Sequence, residues 1–528
     1  MLRGVRTSVF KPQVVCQLLL VGPLLLLCTH ASSLSAEPLL TPAPRHLTWT
    51  GEKLPLGEHN LVVGVTDEEQ QVARVLCEEM LRLHKVRISV TDQKQAQATV
   101  VLALTSSPIG KLLLAEAVGR DLWQANHNEE AYLLEVSDRE AVLVADSQRG
   151  LIYGVQTLLQ LVHADSSGQG MAMAGTRIVD YPQLGFRGIH ICVFPNTELV
   201  AVRKAMLLAA RYKYNAVVIE FWASLQSAKR PETAYRDAYT PDQIRPLIHL
   251  GQALHMEMIP MLNSWGHASG MRSRSGEHVV LDRFPGMKVL FEADGWSFCL
   301  TNPAIYDHLY DRYDELMKLF GDPQSFHLGM DEAWGHRGLM ENQECRGRDP
   351  LKTLTNHLKT LCQYFAKRDV NVFVWHDMFI QRDHPTLGRL SPANSIPPFN
   401  SHLALSSLPK STIIAAWNYS ETEEWPVPRY FHDKGYPVVV CPWKTKLNAI
   451  SLLNTAKKLN LLGVMQTTWD SLDVSLPTVA ETGVLAWTEP GFELHQIPFD
   501  HWLSAIRQYP ISSLPKLEAT LSIESGRR

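Results

Sequence analysis

Two adjacent acidic residues, Asp331 and Glu332, stand where the sequence changes from an apolar run to a loop-like stretch. The run Phe326 to Leu328 has the composition of a short buried strand, and Gly329 leaves room for a close backbone approach. An unpaired carboxylate is costly to bury, so two of them at the rim of an apolar strand indicate acid–base chemistry. The alternative is a helix start, in which Asp331 caps the first turn and Glu332 follows it.

The chain from about residue 181 to 511 alternates strand-like runs with helical patterns. Eight such units predict an α/β fold, a TIM (β/α)8 barrel, because this alternation forces parallel strands with the helices outside. A doubly wound open sheet is the alternative, but no glycine-rich phosphate turn follows the first strand. The predicted strands are Gly188–Val193, Ala216–Phe221, Met256–Leu262, Phe326–Met330, Val370–Trp375, Ile413–Trp417, Pro437–Cys441 and Gly463–Thr467.

The region before the barrel, residues 37–180, mixes strand-like runs with two amphipathic helical patterns. Asp67 to Lys85 and Gly150 to Val162 each place apolar residues on one helical face. The region therefore reads as a small α+β accessory domain. Its sequence brings no acids, histidines or cysteines into one cluster, so we expect it to be non-catalytic. Residues 512–528 are expected to form a loose C-terminal tail.

A barrel of this kind places its chemistry at the carboxyl ends of its strands. In this sequence those ends are rich in acids and tryptophans, which suits a sugar. Aromatic rings stack on the C–H faces of sugars while carboxylates and arginine bind the hydroxyls. We therefore expect a carbohydrate site at this end of the barrel. The candidate residues, besides the two acids, are Glu220, Trp222, Asn263, Trp265, His267, Trp375, Asp377, Trp417, Trp443, Trp469 and Asp470, and Arg187 begins the first strand.

The adjacency of the two acids sets a geometric condition on this site. Successive side chains of a regular strand point to opposite faces of the sheet. Asp331 and Glu332 can therefore act on one substrate only if the fourth strand twists or ends before them.

The composition narrows the class of protein. A chain of 528 residues is long enough for two domains, and 45% hydrophobic with 20% charged residues fits a globular protein. A formal net charge of -4 and the lack of a basic stripe argue against a nucleic-acid partner. Arg3 and Arg6 precede the apolar run Val14 to Cys28, which is the layout of a secretory signal peptide within residues 1–36. An uncleaved N-terminal anchor is the alternative.

No later segment of the sequence is long and apolar enough to span a bilayer once the signal peptide is removed. We therefore expect the secretory pathway, with a lysosomal or an extracellular destination, and the sequence leaves a homodimer open. Cys299 and Cys345 flank the acidic pair in loop-like contexts and are the predicted disulfide. No cysteine spacing resembles a zinc site, and no metal or organic cofactor is implied. Asn418 begins an N-glycosylation sequon beside Trp417, where a glycan would crowd the substrate.

Several blocks of the chain resemble family 20 glycoside hydrolases, the β-N-acetylhexosaminidases. The segment His327-Leu-Gly-Met-Asp-Glu332 is similar to the family's His-x-Gly-Gly-Asp-Glu motif. Gly150-Leu-Ile-Tyr-Gly-Val-Gln-Thr-Leu-Leu-Gln160 and Phe186-Arg-Gly188 resemble its accessory domain running into the first barrel strand. Trp265-Gly-His267 is similar to its Pro-Gly-His segment, and the Cys299 and Cys345 positions match a disulfide that these enzymes often have.

The resemblance implies a retaining exo-hydrolase whose nucleophile is the acetamido oxygen of the substrate itself, and N-acetylhexosamine glycans as its partners. Glu332 would be the general acid and Asp331 would hold the acetamido N–H. Arg187 would bind the outer hydroxyls of the sugar. His267 would support the acid pair, although a purely structural histidine is the alternative. Trp375, Trp417 and Trp469 would enclose the acetamido methyl group.

Departures from the family pattern indicate a divergent branch. Cys192 stands where the family usually has Asp, the Asp expected near Asn263 is absent, Lys444 follows Trp443 where many members have Tyr, and Asp470 replaces a Glu. Two other functions therefore stay open. One is a glycan-binding homologue without activity. The other is a glycosidase that uses two separated carboxylates, Glu332 with Glu220 or Asp377.

Overall fold

The computed structural model describes residues 37–509 apart from 58–60, 93–97, 127, 166–167, 169, 269–283, 294, 334–339, 341, 391, 422–424 and 470–471. The predicted signal peptide, the C-terminal tail and the predicted site residue Asp470 lie outside the described residues. From Glu37 onward the described chain packs as one compact unit.

The N-terminal part builds an eight-stranded mixed sheet with the order β1-β8-β5-β6-β4-β2-β3, and β7 pairs with β8. Its strands are β1 (His46–Leu56), β2 (Leu61–Val63), β3 (Ser89–Thr91), β4 (Ala98–Leu104), β5 (Tyr132–Val136), β6 (Ala141–Ala145), β7 (Val162–Ala164) and β8 (Met171–Asp180). The sequence did not predict β1 and β8, which pair antiparallel with each other. Neither strand shows a clean alternation of apolar and polar residues, and β1 also carries a register shift between Trp49 and Lys53.

The rest of the chain closes into a parallel eight-stranded barrel, which confirms the predicted TIM barrel. Each strand overlaps one of the eight predicted from sequence. They are β9 (Phe186–Val193), β10 (Ala216–Phe221), β11 (Glu257–Met261), β12 (Ser325–His327), β13 (Asn371–Trp375), β14 (Ile413–Trp417), β15 (Val438–Cys441) and β16 (Gly463–Gln466). The barrel closes where β16 pairs with β9.

Helices cover the sheet and surround the barrel. Their apolar faces pack on the strands, and a separate group of buried side chains, including Phe373, Trp375 and Met465, fills the barrel interior. The described α-helices are Asp67–His84, Pro108–Glu116, Arg120–Asn126, Gln148–Leu158, Leu199–Arg211, Pro241–Ala253, Ala304–Phe320, Pro350–Ala366, Leu387–Leu390, Pro426–Asp433, Lys446–Leu459, Leu472–Trp487 and Phe499–Arg507. Within the part of the chain that the structure describes, no helix has both the length and the apolar character needed to cross a membrane.

A buried ion pair joins the sheet to the amino end of the first barrel strand. Arg187 is 0% exposed and donates to Glu130 Oε2 at 2.7 Å. Its other donors reach the Lys213 carbonyl oxygen and the Tyr153 hydroxyl. The prediction that Arg187 binds the sugar is therefore wrong, because it lies at the end of β9 opposite the strand ends that carry the acids. Its position at the start of a strand was visible in the sequence, but its partner Glu130 was not.

A second buried pair lies at the same junction. Lys213 Nζ donates to Asp180 Oδ2 at 2.7 Å, and neither side chain is exposed. Tyr132 and Trp487 donate to the same carboxylate from the sheet and from the last turn of a barrel helix. Burial of the two charges is costly, and these hydrogen bonds offset that cost.

Breaking this second pair should unfold the protein more easily. Asp180→Asn leaves the Lys213 ammonium buried without a counter-charge, so we expect the free energy of unfolding to fall by about 3–5 kcal/mol. Urea unfolding followed by circular dichroism measures this change. Asp473→Asn is the matched control, because it removes a half-exposed partner of Lys204 at 3.7 Å and should change little. Equal stability of the two variants would contradict the role of the junction.

Candidate active site

The fourth barrel strand ends before the acid pair, as the adjacency of Asp331 and Glu332 requires. Strand β12 stops at His327, and the backbone then enters the left-handed region at Gly329, Met330 and Glu332, with φ values of 66°, 78° and 49°. A Cβ on Gly329 would lie 1.6 Å from Asn263 Oδ1, so only glycine fits there. The left-handed residues break the alternation of a strand, and both acids turn toward the same side chain.

That shared side chain is His267. Its Nε2 lies 3.3 Å from Asp331 Oδ2 and 3.2 Å from Glu332 Oε2. Burial by itself lowers the pKa of His267, but the two carboxylates outweigh burial and hold the pKa well above its ordinary value. The two carboxylates therefore favour the charged imidazolium form of His267, which would partly neutralise the acid pair. The structure brings together these three residues, which the sequence proposed from two different strand ends.

Asp331 keeps one oxygen without a protein partner. The residue is 7% exposed, and its Oδ1 atom makes no hydrogen bond to the described residues. Burial raises the pKa of this carboxyl, and the His267 charge works in the opposite direction. A buried acceptor that the protein leaves unsatisfied is suited to a donor on a bound molecule.

A cluster of aromatic side chains, called the aromatic hollow below, lies beside the acid pair. Asp377 links the two, because it accepts hydrogen bonds from the Glu332 N–H and from the Trp417 indole N–H. Trp417 stacks on Tyr419 with ring centroids 5.0 Å apart, and Trp443 meets Tyr419 edge-on at 5.2 Å. The Trp469 indole N–H donates to the Tyr419 hydroxyl at 2.6 Å. Trp375 lies deeper, 5.9 Å from the ring of Trp469, and is 1% exposed. Three of the four tryptophans predicted at the ends of β13 to β16 thus contact one tyrosine, and the fourth, Trp375, packs behind Trp469.

A second group of rings surrounds His267 on another side. The His267 ring lies 4.4 Å from that of Trp296 and 5.7 Å from that of Trp222, which in turn contacts Phe194. The Trp296 indole N–H also donates to the Glu332 carbonyl oxygen at 2.8 Å. The acid pair is thus bordered by aromatic rings from separate segments of the chain.

Glu220 and Asp377, two further predicted site residues, are buried. Both are 0% exposed. Glu220 accepts hydrogen bonds from His190 and Cys192 on one oxygen and from Asn263 on the other, at 2.8 to 3.2 Å. The sequence placed Glu220 correctly at the end of its strand but as a sugar ligand. The structure corrects that role, because both of its oxygens already accept protein donors.

Among the residues that the structure describes, two groups of side chains place potential metal ligands close together. One contains His190, Cys192 and Glu220, and the other contains Glu292 with the Cys299 and Cys345 pair. In the first group the carboxylate accepts hydrogen bonds from both neighbours, which accounts for the arrangement without an ion.

The structure brings the two cysteines predicted as a disulfide into contact. The Cys299 and Cys345 sulfur atoms lie 3.5 Å apart and both residues are buried, but they are free thiols in this structure. A covalent bond between them stays a prediction. The glycosylation prediction at Asn418 disagrees with the fold, because this side chain is 3% exposed and its Oδ1 accepts the Ser420 N–H. A glycan needs an exposed amide.

Tyr419 and Trp296 contact the predicted site, but the sequence reading did not find either. Tyr419 stands inside the Asn418-Tyr-Ser420 sequon, two residues after strand β14. Trp296 lies between the bridged residues Phe291 and Phe298, in a loop rather than at a strand end. A rule based on strand ends reaches Tyr419 but not Trp296.

Models of one protein family match most of the chain. The model for glycosyl hydrolase family 20, domain 2, matches residues 37–181, and the model for the family's catalytic domain matches residues 212–469. A beta-hexosaminidase of Porphyromonas gingivalis is 22% identical over 391 residues, covering 68% of this chain and 47% of the relative. The human beta-hexosaminidase subunit beta is 26% identical over 273 residues, or 48% of each chain. The chain thus spans about half the length of the curated relatives that it matches first.

Solved structures of similar fold extend over more of the chain. The exo β-N-acetylglucosaminidase of Vibrio harveyi in complex with N-acetylglucosamine has a TM-score of 0.64 and 17% identity, and covers 90% of this chain and 76% of that one. The N-acetyl-β-hexosaminidase of Streptomyces plicatus in complex with Thio-NAglucal has a TM-score of 0.62 and 17% identity, covering 90% and 94%. At this level of identity the likeness establishes the barrel fold alone.

The charge on His267 predicts a pH dependence of stability. Because its pKa is raised in the folded protein, its stabilisation is complete below about pH 6.5 and is lost as pH rises through the folded value. We expect His267→Gln to lose less stability than wild type as pH rises. His249→Gln, an exposed control, should lose as much stability as wild type. Urea unfolding between pH 6 and pH 9 measures the effect, about 1.4 kcal/mol for each unit of raised pKa. Identical profiles for wild type and His267→Gln would show that His267 is uncharged.

Proposed function

The chain belongs to glycosyl hydrolase family 20, and from that membership we propose that it is a retaining exo-β-N-acetylhexosaminidase. Its substrates would be glycoconjugates that end in β-linked N-acetylglucosamine or N-acetylgalactosamine. The N-terminal sequence pattern supports a proposed location in the secretory pathway, either in the lysosome or outside the cell.

The first step uses the substrate's own amide. The acetamido oxygen attacks the anomeric carbon while the bond to the leaving oxygen breaks, and Glu332 gives its proton to that oxygen. The product is an oxazolinium ion that carries positive charge on the former amide. Asp331 accepts the amide N–H and stabilises this charge as it develops.

The second step reverses the roles of proton donor and acceptor. Glu332, now a carboxylate, takes a proton from water while the water oxygen attacks the anomeric carbon and opens the oxazolinium ring. Two displacements at one carbon restore the original β configuration, so the reaction retains stereochemistry.

The observation that carries this proposal is the shared contact of Asp331 and Glu332 with one imidazole nitrogen, at 3.3 and 3.2 Å. This contact keeps two acids of different roles side by side. Asp331 Oδ1 has no partner among the described residues, which suits an acceptor for the acetamido N–H. The neighbouring rings of Trp417, Tyr419 and Trp469 contact one another and offer the kind of apolar surface on which an acetamido methyl group packs.

The geometry weighs against the mechanism with two separated carboxylates. In such an enzyme the second carboxylate attacks the sugar or activates water, so it must reach the substrate. Glu220 and Asp377, the candidates for that role, are both 0% exposed, and both oxygens of each accept protein donors.

Removal of the general acid should abolish most turnover. Glu332→Gln keeps the size of the side chain but has no proton to give, so we expect kcat to fall by about 10²–10⁴-fold on 4-nitrophenyl N-acetyl-β-glucosaminide or galactosaminide. A 2,4-dinitrophenyl leaving group needs no protonation, so its hydrolysis should be partly retained. Release of the phenol, followed by absorbance, measures both rates.

Glu52→Gln is the control for this experiment, since Glu52 is exposed on the N-terminal sheet and should keep full activity. Equal turnover by wild type and Glu332→Gln would disprove the assignment of the acid.

A thiazoline analogue of the oxazolinium ion tests the nucleophile. A site built for the intermediate should bind it more tightly than it binds the product sugar. Asp331→Asn should weaken this binding, because an amide cannot balance the positive charge. Weak inhibition of an active wild type would favour a two-carboxylate mechanism. Glycan binding by folded protein without turnover of any N-acetylated substrate between acidic and neutral pH would instead establish a binding protein.

A further inference from the structure

The Asp377 carboxylate connects the acid pair to the aromatic hollow. We propose that Asp377 is a positioning residue, which holds Glu332 and Trp417 in fixed relation to each other and so sets where the proton is delivered. This inference rests on the proposed function. It assigns to Asp377 a role different from the sugar contact expected at the end of β13.

The first contact is with the backbone of the acid itself. The Glu332 N–H donates to Asp377 Oδ2 at 3.0 Å. Glu332 has a φ of 49°, in the left-handed region that residues with a side chain seldom adopt. Such a conformation persists only where neighbouring groups hold it. The hydrogen bond from its own N–H to Asp377 is a contact of this kind.

The second contact is with the wall of the hollow. The Trp417 indole N–H donates to Asp377 Oδ1 at 3.3 Å. Trp417 in turn stacks on Tyr419, whose hydroxyl accepts the Trp469 indole N–H. One carboxylate therefore links the residue that gives the proton to the rings proposed to hold the acetamido group.

A third donor completes the arrangement. Asn394 Nδ2 donates to Asp377 Oδ2 at 2.8 Å, so the two oxygens together accept three hydrogen bonds. An ionised carboxylate is acceptor-only and can serve all three donors, whereas an amide has one acceptor oxygen and must turn its NH2 group toward one of them. Both carboxylates of the acid pair act on Asp377 electrostatically. Burial, together with the Asp331 charge, raises the pKa of Asp377 to about 7, against the stabilising N–H donors.

A direct role in the chemistry does not fit these contacts. Asp377 is 0% exposed, and both of its oxygens accept protein donors. An effect of its substitution should therefore act through the acid, and should depend on how much the leaving group needs a proton. A residue that only supports the fold would affect all substrates alike.

The test compares Asp377→Asn with wild type on two N-acetyl-β-glucosaminides that differ in the leaving group. With a sugar or alkyl leaving group we expect kcat to fall by about 10²-fold, the size of loss caused by a misplacement of about 1 Å. With 2,4-dinitrophenolate we expect a much smaller loss, since that group departs without a proton. Trp417→Phe is the matched variant for the other contact. This substitution keeps an aromatic ring but removes the indole N–H that donates to Asp377. We expect KM to rise with little dependence on the leaving group.

Three outcomes would overturn the proposal. Asp377→Asn could keep the wild-type kcat on both substrates, or lose the same factor on both, which indicates a general structural role. If Asp377→Asn loses the same factor on both substrates, thermal unfolding of the variant shows whether less protein is folded or the folded protein is slower. An inactive wild type would overturn the proposed function itself, and this result is distinct because it requires no variant. Preferential loss on the unactivated substrate, with Asn394→Ala losing less, would support the proposal.

Discussion

The interaction with one nearly buried histidine, His267, stabilises the acid pair. Two carboxylates beside each other in a buried site repel, and each is costly to remove from water. His267 offsets both the repulsion and the desolvation cost, because its Nε2 lies within 3.3 Å of Asp331 and of Glu332. The residues around it serve this arrangement, since Trp222 and Trp296 pack on its ring and exclude water. The site is therefore an acidic cluster balanced by one internal cation.

Backbone geometry delivers the acids to that cation. A regular strand would have sent neighbouring side chains to opposite faces, and β12 avoids this by ending at His327, ahead of a run of left-handed residues. The left-handed run is held by Asp377, which accepts the Glu332 N–H on one oxygen and the Trp417 indole N–H on the other. Strain at the site is thus balanced by hydrogen bonds that come from the barrel wall.

Much of the fold was predictable because alternation of strand and helix, and the rule that barrel chemistry lies at carboxyl strand ends, are local properties of a sequence. The same rule placed Asp331, Glu332 and His267 in one region. Sequence reasoning failed where the outcome depends on partners far away in the chain. The family resemblance, not the strand-end rule, assigned Arg187 to a sugar, although Glu130 already binds it, and Trp296 enters from a loop that the rule does not cover.

The junction between sheet and barrel has a consequence for the order in which the chain is made. Its two acids, Glu130 and Asp180, are translated before their basic partners Arg187 and Lys213. A nascent sheet that closed early would hold two desolvated anions without counter-ions. The sheet therefore gains its counter-ions only when the first β–α unit of the barrel has been made. A cut between residues 180 and 187 would leave both acids in one fragment and both bases in the other, so neither fragment would keep its buried pairs.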